Sequence, residues 1–195
     1  MKSLRLILLT TGLVSVLSSC GQSMQEDIGK RLEQSGDLEA AIAEYRKGVE
    51  AQPNSGNLRF LLGQALFKSN KNTEAVKELR EAARLDLKNI DAHVVLGQAE
   101  LKEGNKDEAK TEFDVALVFD PKRVAAIMGL GQLLEANGNV EEAVKKYREA
   151  VAVDPTCIEA QRSLGMALGK TGDNQGARAA LEEAERLEKA PPKTQ

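Results

Sequence analysis

Apolar and small residues recur along this chain with a period of 34 residues. Each period has a large aliphatic residue followed by glycine, then an alanine, with a turn-forming residue between them. The aligned positions are Ile28, Leu62, Leu96, Leu130 and Leu164; Gly29, Gly63, Gly97, Gly131 and Gly165; Ala41, Ala75, Ala109, Ala143 and Ala177; and Gly36, Asn70, Gly104, Gly138 and Gly172. Because all four series keep one register, the pattern predicts a repeat protein whose units pack on their neighbours.

The 34-residue unit resembles the tetratricopeptide repeat (TPR), a pair of antiparallel helices, from residue 22 to about residue 191. This resemblance implies an all-α fold, an α-solenoid of five TPR helix-turn-helix units. Small residues such as Gly97 and Ala109 are then expected where two helices approach closely. The expected repeats are 22–55, 56–89, 90–123, 124–157 and 158–191, followed by a tail at 192–195.

Residues near the helix ends carry further expectations. Asp120-Pro121 and Asp154-Pro155 should end the second helix of their repeats, because proline cannot continue a helix and restricts the preceding residue. Repeat 2 has Leu87 at the proline's position, so its second helix is expected to run into the next one. Glu100 replaces a leucine of the other repeats, and its carboxylate is expected to reach solvent or a cation.

The two ends of the array are expected to present polar outer faces, since a terminal repeat has a neighbour on one side only. The first repeat begins with the largely polar run 22–27. In the last helix, such a face can be provided by Arg178, Glu182, Glu185 and Arg186.

Residues 1–19 have the layout of a bacterial export signal. Lys2 and Arg5 flank a largely apolar run of 12 residues, Leu6 to Leu17, which is too short to span a bilayer as a helix. The following Leu17-Ser18-Ser19-Cys20-Gly21 resembles the lipobox of lipoprotein signals. The resemblance implies that residues 1–19 are removed and that Cys20, in a lipidated N-terminus 20–21, carries acyl chains in the bilayer. An ordinary cleaved secretory peptide is the alternative.

The same resemblance implies a location. A lipid-anchored protein of the cell envelope is expected, and Gly21 stands where some bacteria use aspartate to retain a lipoprotein at the inner membrane. In a Gram-negative source, the expected place is therefore the periplasmic face of the outer membrane.

Composition and charge exclude several functions. The formal net charge is −3 and basic residues are not clustered, so no nucleic-acid partner is expected. Cys20, Cys157 and His93 lack metal-ligand spacing. No nucleophile-base pair or phosphate-binding loop is present, so we expect no catalytic residue, no metal and no cofactor. His93 is interpreted as a structural residue and Cys157 as a bystander thiol.

In TPR proteins the first helix of each repeat lines a concave groove, and the resemblance implies a protein or peptide partner there. The central repeats align glutamines beside apolar residues on one helical face. Alternatively, the apolar members pack on neighbouring helices. Lys68, Lys102 and Lys170 recur beside this face and are expected to be solvated. The predicted groove residues are Phe60, Gln64, Phe67, Val94, Gln98, Leu101, Met128 and Gln132.

Three non-catalytic functions fit these features. The first is a membrane-anchored scaffold or adaptor in envelope biogenesis, serving pilus, secretion, outer-membrane or exopolysaccharide assembly. The second is a self-assembling structural lipoprotein, and the third is a regulator of an envelope enzyme such as a peptidoglycan hydrolase. The sequence leaves the oligomeric state open.

Overall fold

The computed structural model describes residues 24–190, which form ten α-helices and no strand within that range. The all-α class predicted from the period is confirmed, and each repeat contributes two helices. The helices are α1 (24–34), α2 (Leu38–Ala51), α3 (Gly56–Lys68), α4 (Asn72–Leu85), α5 (Ile90–Glu103), α6 (Lys106–Phe119), α7 (Val124–Ala136), α8 (Val140–Val153), α9 (Ile158–Lys170) and α10 (Asn174–Lys189).

The turn between the two helices of every repeat contains one residue in the left-handed region of backbone space. Four of these residues are glycines with φ between 82° and 87°, and the fifth is Asn70 with φ of 57°. Glycine adopts this conformation without steric cost, and asparagine is among the few other residues that tolerate it. The 34-residue recurrence of turn residues thus reflects one backbone requirement.

The second helices of repeats 2, 3 and 4 all end at the residue before an aspartate. Asp120 and Asp154 precede proline as predicted, and α6 and α8 stop at Phe119 and Val153. The expectation for repeat 2 was wrong, because α4 ends at Leu85 although no proline follows. There the Asp86 carboxylate accepts the backbone N–H of Lys88 at 3.1 Å. The Asp120 and Asp154 carboxylates accept in the same way from the backbone N–H groups of Lys122 and Thr156, at 3.1 Å and 2.9 Å. This side-chain turn is therefore common to the three repeats, with or without proline.

The chain divides into two compact units. In the first, which ends at Ala99, helix α2 packs on α3 and α3 on α4. Its core contains fully buried Tyr45, Leu58 and Leu79. A Cβ added at Gly29 would lie 2.3 Å from the Tyr45 ring. The missing side chain is therefore what lets α1 and α2 approach, as the repeated glycine predicted.

The second unit begins at Glu100, and in it α6 packs on α7, α7 on α8, α8 on α9 and α9 on α10. Phe113 and Tyr147 are its largest fully buried side chains. A Cβ on Gly131 would lie 2.5 Å from the Tyr147 ring, and one on Gly165 would lie 2.7 Å from Leu181. The contact made by Gly29 in the first unit thus recurs at equivalent glycines here.

Glu100 departs from its expected environment. The residue is 1% exposed, so its carboxylate does not reach solvent. The side-chain amide of Asn105 donates to Glu100 Oε2 at 2.7 Å, and the Asn105 backbone N–H donates to the Glu100 carbonyl at 2.9 Å. These hydrogen bonds come from the turn after α5 and satisfy the buried carboxylate. The expectation considered only the position of Glu100 within its helix.

Candidate partner-binding surface

The predicted groove residues lie on the first helices of the three central repeats, α3, α5 and α7. Their exposure differs. Gln132 is exposed, and Gln64, Gln98, Phe60, Phe67 and Leu101 are half-buried. Phe60 and Phe67 pack against the core of the first unit while keeping part of their surface free. These six side chains retain surface that a partner could contact.

Val94 and Met128 do not fit the groove prediction as well. Val94 is 4% exposed and Met128 is 9% exposed. Met128 belongs to a core cluster with Ile127 and Ala150 in the second unit. These two side chains therefore pack between helices, as the alternative interpretation expected.

An open depression of about 380 Å³ lies on the first unit, between residues of repeats 1 and 2. It contains one predicted groove residue, Gln64. The predicted groove residues all lie on the three central repeats, whereas residues of the first repeat also line this depression. Its lining consists of Lys30, Glu33, Gln34, Tyr45, Leu61, Gln64 and Lys68.

A glutamate links the two repeats at this depression. Lys68 Nζ donates to Glu33 Oε2 at 3.0 Å. The Tyr45 hydroxyl and Glu33 Oε1 are both buried, and the hydroxyl lies beside the Glu33 carboxylate without a hydrogen bond of normal geometry. Burial, followed by the nearby Glu33 carboxylate, raises the pKa of Tyr45 above its ordinary range. Its phenol is therefore a neutral donor at physiological pH.

The same three residue types recur three periods of 34 residues later, in the second unit. There Tyr147 Oη donates to Glu135 Oε2 at 2.6 Å, and Lys170 Nζ donates to Glu135 Oε1 at 2.9 Å. Burial and this hydrogen bond raise the pKa of Tyr147. Each tyrosine–glutamate–lysine cluster thus joins the first helix of one repeat to the first helix of the next.

These clusters were not predicted from the sequence. Lys68 and Lys170 were expected to be solvated; they remain 47% and 60% exposed, but both also pair with a glutamate 35 positions earlier. The available signal was the match of Tyr45 with Tyr147 where repeats 2, 3 and 5 have Leu79, Phe113 and Leu181. A tyrosine in place of an apolar residue indicates a hydroxyl that needs a partner.

His93 and Cys157 are the histidine and the cysteine of the described residues, 24–190. His93 is 5% exposed, with Nε2 3.2 Å from the Leu87 carbonyl oxygen. Burial raises the pKa of the Cys157 thiol, which disfavours the reactive thiolate. Across residues 24–190 no group of three His, Cys, Asp or Glu side chains could hold a metal ion. The predicted lipidation residue, Cys20, lies outside the described residues.

Among the helices of the described range, none combines the length and the apolar composition that crossing a bilayer requires.

Comparison with known proteins identifies the class. The family profile of the tetratricopeptide repeat matches residues 26–90, 60–124, 94–156 and 128–193, so the chain belongs to the TPR family. No curated protein matches it in sequence. Proteins with this fold are generally non-catalytic scaffolds for protein–protein interaction, and the fold supports a protein or peptide as partner.

Solved structures share the fold over most of the chain. A crystal structure of MamA is 25% identical, with a TM-score of 0.68, and the match covers 83% of this chain and 94% of that one. YrrB, described as a TPR protein with an unusual peptide-binding site, is 20% identical with a TM-score of 0.60, covering 83% of each chain. Pseudomonas aeruginosa pilF is 17% identical with a TM-score of 0.75, covering 87% of this chain and 78% of that one.

Proposed function

We propose that this protein is a lipid-anchored adaptor of a bacterial cell envelope that holds a peptide or protein segment against the first helices of its TPR units. The observation that carries the proposal is the depression on the first unit. It combines the Gln64 amide and the Lys68 ammonium with the edge of Leu61, a core residue that lines the depression while only 8% exposed. Concave sites with a few polar groups beside apolar surface are the usual form of a ligand-binding site.

The chemistry of this surface suits an extended or helical segment. The Gln64 side chain offers both a donor and an acceptor, which is what a peptide backbone requires. Phe60 and Phe67 are half-buried on the same helix and offer apolar contacts to the segment's side chains. Because Lys68 is already paired with Glu33, the depression has little net charge to select a strongly charged partner. The described peptide-binding site of YrrB supports a partner of this kind.

The anchor is proposed from the N-terminal sequence. The basic start, the apolar run of 12 residues and the small residues before Cys20 match a lipoprotein signal. Two or more acyl chains on one cysteine would hold the protein stably at a membrane. The proposed location is the periplasmic face of the outer membrane, and the proposed role is in pilus, secretion, outer-membrane or exopolysaccharide assembly.

Site-specific photocrosslinking in the native host tests the binding surface. A photoreactive phenylalanine analogue would replace Gln64 in the full-length chain. The matched control carries the same analogue at Ala43, an exposed residue on the second helix of repeat 1. We expect a discrete crosslinked protein from position 64 that is absent from position 43. Crosslinking only from position 43, or the same products from both, would place the binding surface elsewhere.

The anchor has its own test. Metabolic labelling with an alkyne fatty acid should label the full-length chain, and Cys20→Ser should abolish the label. Labelling that persists in Cys20→Ser would contradict lipidation at this cysteine, without bearing on the groove.

A further inference from the structure

We propose that the outer face of α1, formed by Met24, Ile28 and Arg31, lies against the surface of the membrane that holds the acyl chains on Cys20. This inference rests on the proposed lipid anchor. It adds that the first repeat contacts the lipid directly and that helix α1 sets the position of the first unit at the bilayer.

The exposure of this face is unlike that of the equivalent face in every later repeat. Met24 is 55% exposed and Ile28 is 38% exposed. Their equivalents in the four later repeats are all buried, because in the pairs α2–α3, α6–α7 and α8–α9 the preceding helix packs on the next repeat. The buried equivalents are Leu58, Ala92, Ala126 and Ala160 for Met24, and Leu62, Leu96, Leu130 and Leu164 for Ile28.

The opposite end of the array shows how this sequence treats a face that meets water. At two packing positions of the second helices, the last repeat carries Arg178 and Glu185, both exposed. The same positions in repeat 1 are Ile42 and Val49, which face repeat 2. At these two positions the last repeat therefore has charged side chains where repeat 1 has apolar ones, although its Leu181 is 38% exposed. At the N-terminal end, exposed Met24 lies within the expected largely polar run 22–27, and apolar Ile28 follows it.

The length of the tether places this face at the lipid. Three residues separate Cys20 from Met24, and the four Cα–Cα steps between them span at most about 14 Å when extended. The headgroup layer on each side of the hydrocarbon core is about 5–8 Å thick. Ile28 lies one helical turn further along, about 6 Å up the axis. Met24 is thus held close enough to the bilayer for its exposed thioether side chain to reach the boundary between headgroups and acyl chains.

The charged groups on and beside this face are compatible with a headgroup layer. Arg31 is exposed and can place its guanidinium at lipid phosphates while its aliphatic stem covers apolar surface. Asp27, also exposed, lies at the edge of the face, and Glu26 is paired with Lys30. The face is therefore apolar at its centre, with one basic and one acidic group at its margin.

The chain contains no tryptophan, so one introduced tryptophan reports a single position. Full-length Ile28→Trp would be purified in its lipidated form and reconstituted into phosphatidylethanolamine–phosphatidylglycerol vesicles with brominated acyl chains. The matched control is Leu87→Trp, at an apolar residue that is 64% exposed in the same unit. We expect bromine to quench most of the emission from position 28 and little of that from position 87.

Equal quenching at the two positions, in protein that floats with the vesicles, would overturn the inference and leave the anchor intact. Protein that is not acylated and does not float would overturn the anchor and the inference with it. A blue shift at position 28 that depends on protein concentration and not on bromine would assign the face to a second copy of the chain. If Ile28→Trp loses helicity by circular dichroism, Met24→Trp decides the question at a more exposed site.

Discussion

The hydroxyl of Tyr147 donates a 2.6 Å hydrogen bond to the carboxylate of Glu135, whereas the equivalent Tyr45 hydroxyl lies beside Glu33 without a hydrogen bond of normal geometry. The two pairs occupy the same positions of repeats 4 and 1, and each glutamate also binds a lysine of the following repeat. The sequence repeats the three residue types, while only the second unit closes the hydrogen bond. This difference provides a matched pair of variants.

Tyr147→Phe should lower the free energy of unfolding by about 1–2 kcal/mol, because a hydrogen bond to a charged, partly exposed carboxylate is lost. Tyr45→Phe removes a hydroxyl that lies beside Glu33 without a hydrogen bond of normal geometry, and it should cost less than Tyr147→Phe. Urea unfolding of the two variants followed by circular dichroism measures both values. A Tyr45→Phe cost equal to that of Tyr147→Phe would show that the two clusters are energetically the same.

Stability should also fall at alkaline pH, because the pKa values of both tyrosines are raised in the folded protein. In the unfolded chain tyrosine ionises near pH 10. The contribution of a raised pKa is therefore fully present below about pH 10 and is lost as the pH rises through the higher folded value. The ultraviolet difference spectrum should show phenolate appearing together with loss of helicity. Phenolate formed in a chain that stays helical would contradict the burial of these hydroxyls.

The turn between α7 and α8 tests the backbone requirement of the repeat. Gly138 has φ of 82°, and a Cβ added there would meet nothing within 4 Å. Gly138→Ala should therefore cost about 1–2 kcal/mol through backbone conformation alone. Gly138→Asn should cost clearly less, because Asn70 adopts φ of 57° at the same repeat position. Thermal unfolding measures the stability of both variants. An equal loss of stability would mean that asparagine tolerates this backbone conformation no better than alanine does.

Alanine substitutions at two helical glycines distinguish the effect of overpacking on stability from the effect of helix propensity. A Cβ at Gly131 would lie 2.5 Å from the buried Tyr147 ring, whereas one at Gly169 would meet its nearest neighbour, Ala177, at 3.9 Å. Gly131→Ala should destabilise by about 1–3 kcal/mol, since the ring cannot move without disturbing the core. Gly169→Ala should stabilise by up to about 1 kcal/mol, because alanine is the better helix former. We expect the denaturant midpoint to fall below that of the parent chain for Gly131→Ala and to rise above it for Gly169→Ala.

The period of the sequence predicted the helices and their turns because both depend on residue type within one repeat. The series of glycines from Gly29 onward marked close helix contacts, and the ring contacts at Gly29 and Gly131 explain why. The end of α4 was predicted wrongly because the rule applied there considered proline alone. The side chain of Asp86 forms the turn without it.

The binding surface was less predictable because it depends on contacts between repeats. Lys68 and Glu33 lie 35 positions apart, and only the packing of successive repeats brings them to 3.0 Å. Likewise, the position of Met128 on a helical face did not reveal that α8 and α9 residues cover it. Exposure at such positions is set by the neighbouring repeat, which a pattern read along one helix does not include.

The groove itself makes a quantitative prediction once photocrosslinking has supplied the bound segment. Gln64→Ala removes the amide that the proposal assigns to the segment's backbone and leaves the surrounding core residues unchanged. Loss of the hydrogen bonds between the Gln64 amide and the segment's backbone should weaken binding roughly tenfold, which is equivalent to about 1.4 kcal/mol. The matched control is Gln175→Ala, which removes an exposed glutamine of α10 outside the depression. Fluorescence anisotropy with the labelled segment measures both affinities. If Gln64→Ala binds as the parent chain does, while remaining helical, the depression on the first unit is not where the segment is held.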